Sequence, residues 1–201
     1  MGKWLVTVSI ISVFAAGVAQ AAGDVAAGKA KSATCLACHG PDGNSPNPIW
    51  PKLAGQHPVY ILKQLQAFKS GERKNDLMAP MAKPLTDTEM GNLAAYFSNQ
   101  KQSNGTAAAD KVELGEKIYR SGNAANGVAP CIGCHGPSGF GNPAAQFPRI
   151  SGQHAAYAEK ALKDFRGQVR TNDMQKMMQG VTAKMSDKEI AAVAQYIQGL
   201  R

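Results

Sequence analysis

The stretch CLACHG at residues 35–40 returns as CIGCHG at residues 131–136. In each copy, two residues separate a pair of cysteines, and a histidine follows the second cysteine directly. Two copies that lie 96 positions apart can form one site assembled from distant parts, or two equal sites in a repeated chain. The sequence around the two copies distinguishes between these arrangements.

The chain around both motifs is duplicated. Residues 55–76, GQHPVYILKQLQAFKSGERKND, align without a gap with residues 152–173, GQHAAYAEKALKDFRGQVRTND, and ten of the 22 positions are identical. A short solenoid repeat would recur more often, so this pattern indicates a duplicated domain. The polar stretch 99–110 has no apolar period and is typical of a connection. We therefore predict domains at 22–100 and 110–201 with a linker at 101–109.

Each half has a helical pattern and no convincing strand, so the predicted fold class is all-α. Three helices are expected per half: 24–34, 58–70 and one from Thr86, then 110–121, 155–168 and one from Ser186. The last helix of each half opens with a capping box, TDTE at 86–89 and SDKE at 186–189. Few helices and much loop give a thin core, which a bulky apolar cofactor would fill.

The first residues predict export. Lys3 precedes an apolar run from Trp4 to Ala19, and Ala19-Gln20-Ala21 provides the small residues of a cleavage site. We expect a signal peptide at 1–21. An uncleaved membrane anchor is the alternative, although the run is short for a span and no charged stop-transfer flank follows it.

The chain is basic, with a formal charge of +8 that becomes +7 once Lys3 leaves with the signal. This charge favours an acidic protein partner or an anionic membrane surface. Nucleic acid is not expected as a partner, because the chain is exported and its lysines and arginines are scattered.

The pattern C-x-x-C-H is typical of c-type haem attachment. The two thiols add across the haem vinyl groups, and the histidine that follows binds the iron from one face. A thioredoxin-like pair would need a preceding strand, and a zinc ribbon would need its C-x-x-C pairs about 15–20 residues apart. We therefore predict two covalently bound haem c groups. The attachment residues are Cys35, Cys38, Cys131 and Cys134, and the proximal iron ligands are His39 and His135.

A histidine that binds a metal usually donates its other ring nitrogen to a carbonyl group. Pro51 and Pro148 correspond in the repeat and follow the two motifs. Their carbonyl groups are the candidates for this role. The two remaining histidines, His57 and His154, are expected on the surface near helix starts, and the alternative is that they bind iron.

The sixth iron ligand separates a carrier from a catalyst, because haem iron with an open position can bind small molecules. When the halves are aligned on Thr86 and Ser186, only Met78 and Met178 are methionine in both. We predict that these two methionines are the second iron ligands. The alternatives are Met81 and Met177.

Each half resembles a class I cytochrome c, with a first helix, C-x-x-C-H, a proline-bearing loop, a methionine and a last helix that carries an aromatic residue. In that family a small residue on the first helix packs against the last helix, and Gly28 and Gly115 match it. The tandem form is similar to cytochrome c4 in CHGPDGNS, PKLAGQ, RTND and YIQGL, which begin at residues 38, 51, 170 and 196. The resemblance implies two domains related by a pseudo-twofold axis, with haem propionates approaching their interface. The candidate propionate or interface contacts are Tyr60, Arg73, Asn75, Tyr157, Arg170 and Asn172.

The resemblance also implies a monomeric periplasmic electron carrier that is not an enzyme. Its expected partners are redox proteins, namely a membrane-bound donor complex and a terminal haem–copper oxidase, and peripheral membrane association stays open. The first alternative is an electron-transfer subunit of a larger redox complex. The second is a di-haem peroxidase, which would need one iron with an open sixth position.

Overall fold

The computed structural model describes residues 23–201, so the predicted signal peptide at 1–21 lies outside the described residues. Over this range the chain is helical, as predicted, and its only extended pairing is two isolated β-bridges, Asn123 with Val128 and Asn142 with Phe147. No helix between residues 23 and 201 has both the length and the apolar character needed to cross a bilayer.

The two halves repeat the same order of helices. The first half contains α1 (Val25–Lys31), a 3₁₀ turn (Ser32–Thr34), α2 (Leu36–His39), α3 (Pro58–Ser70), α4 (Met78–Ala82) and α5 (Asp87–Ser98). The second half contains α6 (Ala109–Ser121), α7 (Ile132–His135), α8 (Ala155–Arg166), a 3₁₀ turn (Met174–Lys176), α9 (Met177–Thr182) and α10 (Asp187–Gly199).

Helix ends agree with the sequence where a local signal sets them. Helix α3 has the predicted bounds, with Pro58 at its first position and Gly71 in a left-handed conformation after its end. Helix α8 ends two residues earlier than expected, because Gln168 adopts a φ of 56° that no α-helix accommodates. The limits of the linker at 101–109 stay a prediction.

The predicted capping boxes are both present. The Thr86 hydroxyl accepts from the Glu89 backbone N–H at 3.2 Å, and Glu89 Oε2 accepts from the Thr86 N–H at 2.8 Å. Ser186 and Glu189 make the same pair of bonds at 3.3 and 2.8 Å. These bonds satisfy backbone donors that the first turn of a helix leaves free.

The first and last helices of each half cross in close contact at a glycine. A Cβ atom on Gly28 would lie 2.0 Å from the Asn92 carbonyl oxygen of α5, and one on Gly115 would lie 2.3 Å from the Ala192 carbonyl oxygen of α10. Contacts below 3.0 Å are not found for real Cβ atoms. Glycine is therefore required at both crossings, as the resemblance implied.

Each half has its own hydrophobic core beside these crossings. The core of the first half is formed by Ile61, Leu85, Met90, Leu93, Ala94, Tyr96 and Phe97. The core of the second half is formed by Ile118, Tyr119, Val128, Met185, Ile190, Val193, Tyr196, Ile197 and Leu200. The two clusters share no residue, which is the organisation of two domains.

Two glutamine side chains join the halves by a reciprocal exchange of hydrogen bonds. Gln56 donates from Nε2 to the Arg149 carbonyl at 2.8 Å and accepts from the Arg149 N–H at 3.0 Å. Gln153 makes the equivalent bonds to Lys52, at 3.0 and 2.9 Å. Gln56 matches Gln153 in the repeat, and Lys52 matches Arg149. The glutamine of each half therefore contacts the same position of the other half. This is the contact pattern of a twofold axis, and it confirms the predicted pseudo-twofold relation.

Candidate haem sites

Each C-x-x-C-H motif forms a single helical turn. The His39 N–H donates to the Cys35 carbonyl at 2.9 Å, and the His135 N–H makes the same 2.9 Å bond to Cys131. Residues three apart in a helix are neighbours on its surface. The turn therefore presents the two thiols of a motif side by side, with the histidine at its end. This arrangement suits attachment of one planar group at two points.

Both motif histidines are buried and held by one hydrogen bond. His39 Nδ1 lies 2.9 Å from the Pro51 carbonyl oxygen, and His135 Nδ1 lies 2.9 Å from the Pro148 carbonyl oxygen. These are the carbonyl groups predicted from the sequence. A carbonyl only accepts hydrogen bonds, so Nδ1 carries the proton in each ring.

The protonation state of these histidines suits iron binding. Burial lowers the pKa of His39 and of His135, which keeps both rings neutral at pH 7. With the proton on Nδ1, the lone pair of Nε2 is free for a metal. Orientation by a carbonyl group is the usual arrangement behind a histidine that ligates a metal.

A tyrosine hydroxyl fixes the chain just after each motif. Tyr96 of α5 donates to the Pro41 carbonyl at 2.8 Å, and Tyr119 of α6 donates to the Gly136 carbonyl at 2.6 Å. The first half thus uses its last helix for this contact, whereas the second half uses its first helix. Neither tyrosine was predicted from the sequence to make this contact.

The two candidate methionine ligands lie at the starts of matched short helices. Met78 is the first residue of α4, and its N–H donates to Asn75 Oδ1 at 2.8 Å. Met178 lies in the first turn of α9, and its carbonyl accepts from the Thr182 hydroxyl at 2.8 Å. Both side chains are partly buried.

Other methionines have different surroundings. Met90 and Met185 are 0% and 3% exposed within the two cores, where they fill space. Met81, an alternative ligand, is 41% exposed on α4, while the other alternative, Met177, is partly buried beside Met178.

The histidines of the two GQH segments are interface residues, so the expectation of surface positions is wrong. His57 is 6% exposed, and its Nε2 donates to the Phe140 carbonyl of the other half at 2.7 Å. His154 is partly buried, and its Nε2 donates to the Ser45 carbonyl across the same boundary at 2.8 Å. The sequence feature that could have indicated this interface role was the match of the two histidines in the repeat, which places both at the start of equivalent helices.

Two arginines also cross the boundary in a reciprocal manner. Arg73 Nη2 donates to the Tyr157 hydroxyl at 3.1 Å, and Arg170 Nη2 donates to the Tyr60 hydroxyl at 2.8 Å. All four residues were candidates for propionate or interface contacts, and the structure gives them interface contacts. The arginines therefore lie together at the junction of the halves.

This junction is electrically positive. Among residues 23–201, no carboxylate lies within ion-pair distance of Arg73 or Arg170. Burial alone would raise the pKa of Tyr157, but the two guanidinium groups lower it to about 8. Buried cations need anionic partners. The carboxylates of haem propionates have the complementary charge, so the residues present fit the predicted haem groups.

Comparison with known proteins agrees with this geometry. The chain matches the family described as Cytochrome c at residues 25–101 and again at 112–201. It is 56% identical to cytochrome c4 of Thiocapsa roseopersicina over 89% of this chain and 93% of that protein. A crystal structure of reduced recombinant cytochrome c4 from Pseudomonas stutzeri has 50% identity and a TM-score of 0.87, covering 90% of this chain and 100% of that one.

The chain belongs to the cytochrome c4 family. It is therefore a di-haem electron-transfer cytochrome with two covalently bound haem c groups, one in each cytochrome c domain. A further relative, named thiosulfate dehydrogenase electron acceptor, comes from Thiomonas intermedia. It is 37% identical over 86% of this chain and 81% of its own length. Cytochromes c4 are carriers that exchange electrons with redox partners.

Proposed function

We propose that this cytochrome c4 carries electrons in the periplasm from a membrane-bound donor complex to a terminal haem–copper oxidase, with no substrate chemistry of its own. The observation that supports it best is the pair of neutral, carbonyl-bound histidines, each placed directly after two adjacent thiols. The apolar leader at residues 4–19 supports export, and the positive net charge suits an acidic docking face on a partner.

In this proposal the haem groups are attached through Cys35 and Cys38 in domain 22–100 and through Cys131 and Cys134 in domain 110–201. A bound haem supplies a one-electron couple between ferric and ferrous iron. The helical turn of each motif fixes the distance between its two thiols, and the tyrosine bond after each motif keeps that turn against the core. Attachment at two points would hold the group in one orientation through both redox states.

The proposed axial ligand pairs are His39 with Met78 and His135 with Met178. The Pro51 and Pro148 carbonyls orient the histidine rings, and Asn75 holds the backbone N–H of Met78 at 2.8 Å. With both a histidine and a methionine bound, the iron would have no position for oxygen or peroxide, so these side chains would favour electron transfer over catalysis. Methionine as the second ligand raises the reduction potential.

A second candidate function is that of an electron-transfer subunit in a larger redox complex. The similarity to a protein named thiosulfate dehydrogenase electron acceptor favours this candidate. Sedimentation of the native protein from a periplasmic extract distinguishes the two functions. A free carrier sediments as a monomer, whereas a subunit sediments with its dehydrogenase.

The test of the carrier function is the visible spectrum of the purified native protein in both redox states, with haem counted per chain and carbon monoxide then added. We expect two low-spin haems per chain, a methionine-to-iron charge-transfer band and no response to carbon monoxide. A carbon monoxide shift in the unmodified protein would show an open iron and favour the peroxidase reading. Oxidation of the reduced protein by membranes that contain the oxidase, abolished by an oxidase inhibitor, would support the proposed acceptor.

A further inference from the structure

The glutamine, histidine and arginine contacts described above come in matched pairs across the junction of the halves, whereas the contacts of Gln64 have no match. Its counterpart in the repeat is Ala161. The Oε1 atom of Gln64 accepts three hydrogen bonds, from Arg73 Nη1 at 2.8 Å, Arg170 Nη2 at 3.1 Å and Asn172 Nδ2 at 2.9 Å. Because the side chain of Ala161 has no polar atom, the mirror-image bonds cannot form. The junction is therefore asymmetric at this position.

The asymmetry affects the second half more than the first. Arg170 and Asn172 are 7% and 4% exposed, and Gln64 is 8% exposed, whereas Arg73 is only partly buried. Arg170 Nε also donates to Asn172 Oδ1 at 3.1 Å, which joins these two residues into one network. A residue of the first half thus provides the acceptor for a buried network of the second half.

The same network changes the role of Asn172. Its counterpart, Asn75, uses Oδ1 to accept the backbone N–H groups of Leu77 at 3.1 Å and Met78 at 2.8 Å, and so begins α4. The Oδ1 atom of Asn172 accepts from Arg170 instead. The two matched asparagines therefore support different structures.

The second half begins its methionine helix by another route. Asn172 precedes Met178 by six positions, against three positions in the first half, and the 3₁₀ turn Met174–Lys176 occupies the extra length. Asp173 acts there in place of the asparagine, since its carboxylate accepts from the Gln179 N–H at 3.0 Å and from Gln179 Nε2 at 2.6 Å. The segment from Asn172, in the Gln64 network, to Met178 is thus short, and the bonds between Asp173 and Gln179 hold it in place.

From these contacts we infer that Gln64, in the first half, is a positioning residue that tunes the reduction potential of the haem in the second half. Its neutral oxygen orients Arg170 and Asn172 and offsets part of the positive field of the guanidinium group. Charges in a buried site act strongly on a nearby redox centre, and positive charge favours the reduced iron. The inference rests on the two haem sites and not on the partners proposed above.

The test compares Gln64→Ala with Gln64→Glu in the haem-loaded, full-length protein. Loss of the acceptor leaves Arg170 less compensated, so Gln64→Ala should raise the potential of the second haem. A carboxylate at the same place should lower it. At a fixed applied potential, the reduced-to-oxidised ratio of the second haem should change by about two- to tenfold in each variant, the range that one buried hydrogen bond spans. The ratio for the first haem should change by less.

The two haems are followed separately through their methyl proton resonances during a redox titration, assigned by nuclear Overhauser contacts to residues of each half. Ala161→Gln is the matched control. It adds an amide at the equivalent position of the repeat, where the matched asparagine, Asn75, is already bonded to the start of α4. It should therefore leave the reduced-to-oxidised ratio of the second haem within twofold of its normal value. Equal shifts of both haems, or shifts of one sign in both Gln64 variants, would overturn the inference. The proposed methionine ligands are tested by a separate measurement, the binding of carbon monoxide. Failure of that proposal can therefore be distinguished from failure of this inference.

Discussion

Gly28 lies against the Asn92 carbonyl oxygen so closely that a Cβ atom would be 2.0 Å away. We therefore expect Gly28→Ala to lower the free energy of unfolding by roughly 1–3 kcal/mol, the usual cost of overpacking. Gly91 is the matched control in the facing helix α5, because a Cβ atom there meets nothing within 4 Å. Gly91→Ala should raise the stability by up to about 1 kcal/mol. Denaturant unfolding of the holoprotein, followed by circular dichroism, measures both, and equal effects would contradict the close crossing.

Removal of a methionine ligand should open one iron only. In Met78→Ala, half of the haem should respond to carbon monoxide, and half of the charge-transfer band should be lost. Met81→Ala is the control, since Met81 is 41% exposed on the same helix. If Met78→Ala keeps two six-coordinate haems while Met81→Ala loses one, the assignment passes to Met81. The pair Met178→Ala and Met177→Ala gives the same comparison in the second half.

The interface should weaken when its glutamine exchange is broken. Gln153→Ala leaves the buried Lys52 N–H and carbonyl without their bonds at 2.9 and 3.0 Å, which should cost roughly 1–3 kcal/mol. Gln66 on α3 is exposed and provides the control substitution to alanine. When unfolding by denaturant is followed separately for each half, the two curves should separate in Gln153→Ala and should still coincide in Gln66→Ala.

Acid should weaken the contact between α1 and α5 through Glu89. The hydrogen bond from Lys31 and those from Thr86 lower the Glu89 pKa from 4.5 to about 2. Between pH 4.5 and about 2, this carboxylate thus stays charged in the folded state, whereas it would be protonated in the unfolded state. The resulting stability is complete above pH 4.5 and is lost as the pH falls towards 2.

Lys31→Met tests this prediction. It should flatten the fall in unfolding free energy between pH 4.5 and 2, whereas Lys29→Met, two residues before Lys31 on the same helix, should leave the fall unchanged. A pH profile of urea unfolding gives the comparison, and parallel profiles for both variants would refute the role of Lys31.

Electron exchange with an acidic partner should depend on salt. The chain has a formal net charge of +8, or +7 without the predicted signal peptide, and charge attraction between exposed groups is screened over about 10 Å at 0.1 M salt. The second-order rate of reduction of the oxidase by this protein should therefore fall as ionic strength rises. A rate that is constant with salt would exclude electrostatic docking.

Features with local signals were accessible from the sequence. Thr86 and Glu89 formed the expected capping box, the bounds of α3 followed from Pro58 and Gly71, and the Pro51 carbonyl was the expected partner of His39. In each case the interacting residues lie near one another in the chain, or a motif specifies the distance between them.

Features that depend on the junction of the halves were accessible only in part: the resemblance implied the pseudo-twofold relation and interface candidates such as Arg73 and Arg170, but not the contacts of His57 or Gln64. His57 bonds to a residue 83 positions away, and Gln64 bonds to Asn172 at a separation of 108. The repeat identified matched residues, but it did not show that matched faces meet. Asn75 and Asn172 are identical in the repeat and still differ in role, because Asn172 bonds to Arg170 and to Gln64 of the other half, whereas Asn75 begins α4.

The exchange between Gln56 and Arg149, repeated by Gln153 and Lys52, is self-complementary, since every half carries both sides of it. Two separate copies of one half could make this contact only at a concentration high enough to pair them. On a single polypeptide the second copy is always present, at an effective concentration set by the short connection rather than by the amount of protein. The duplication thus converts what would be a dissociable homodimer into a pair that survives dilution.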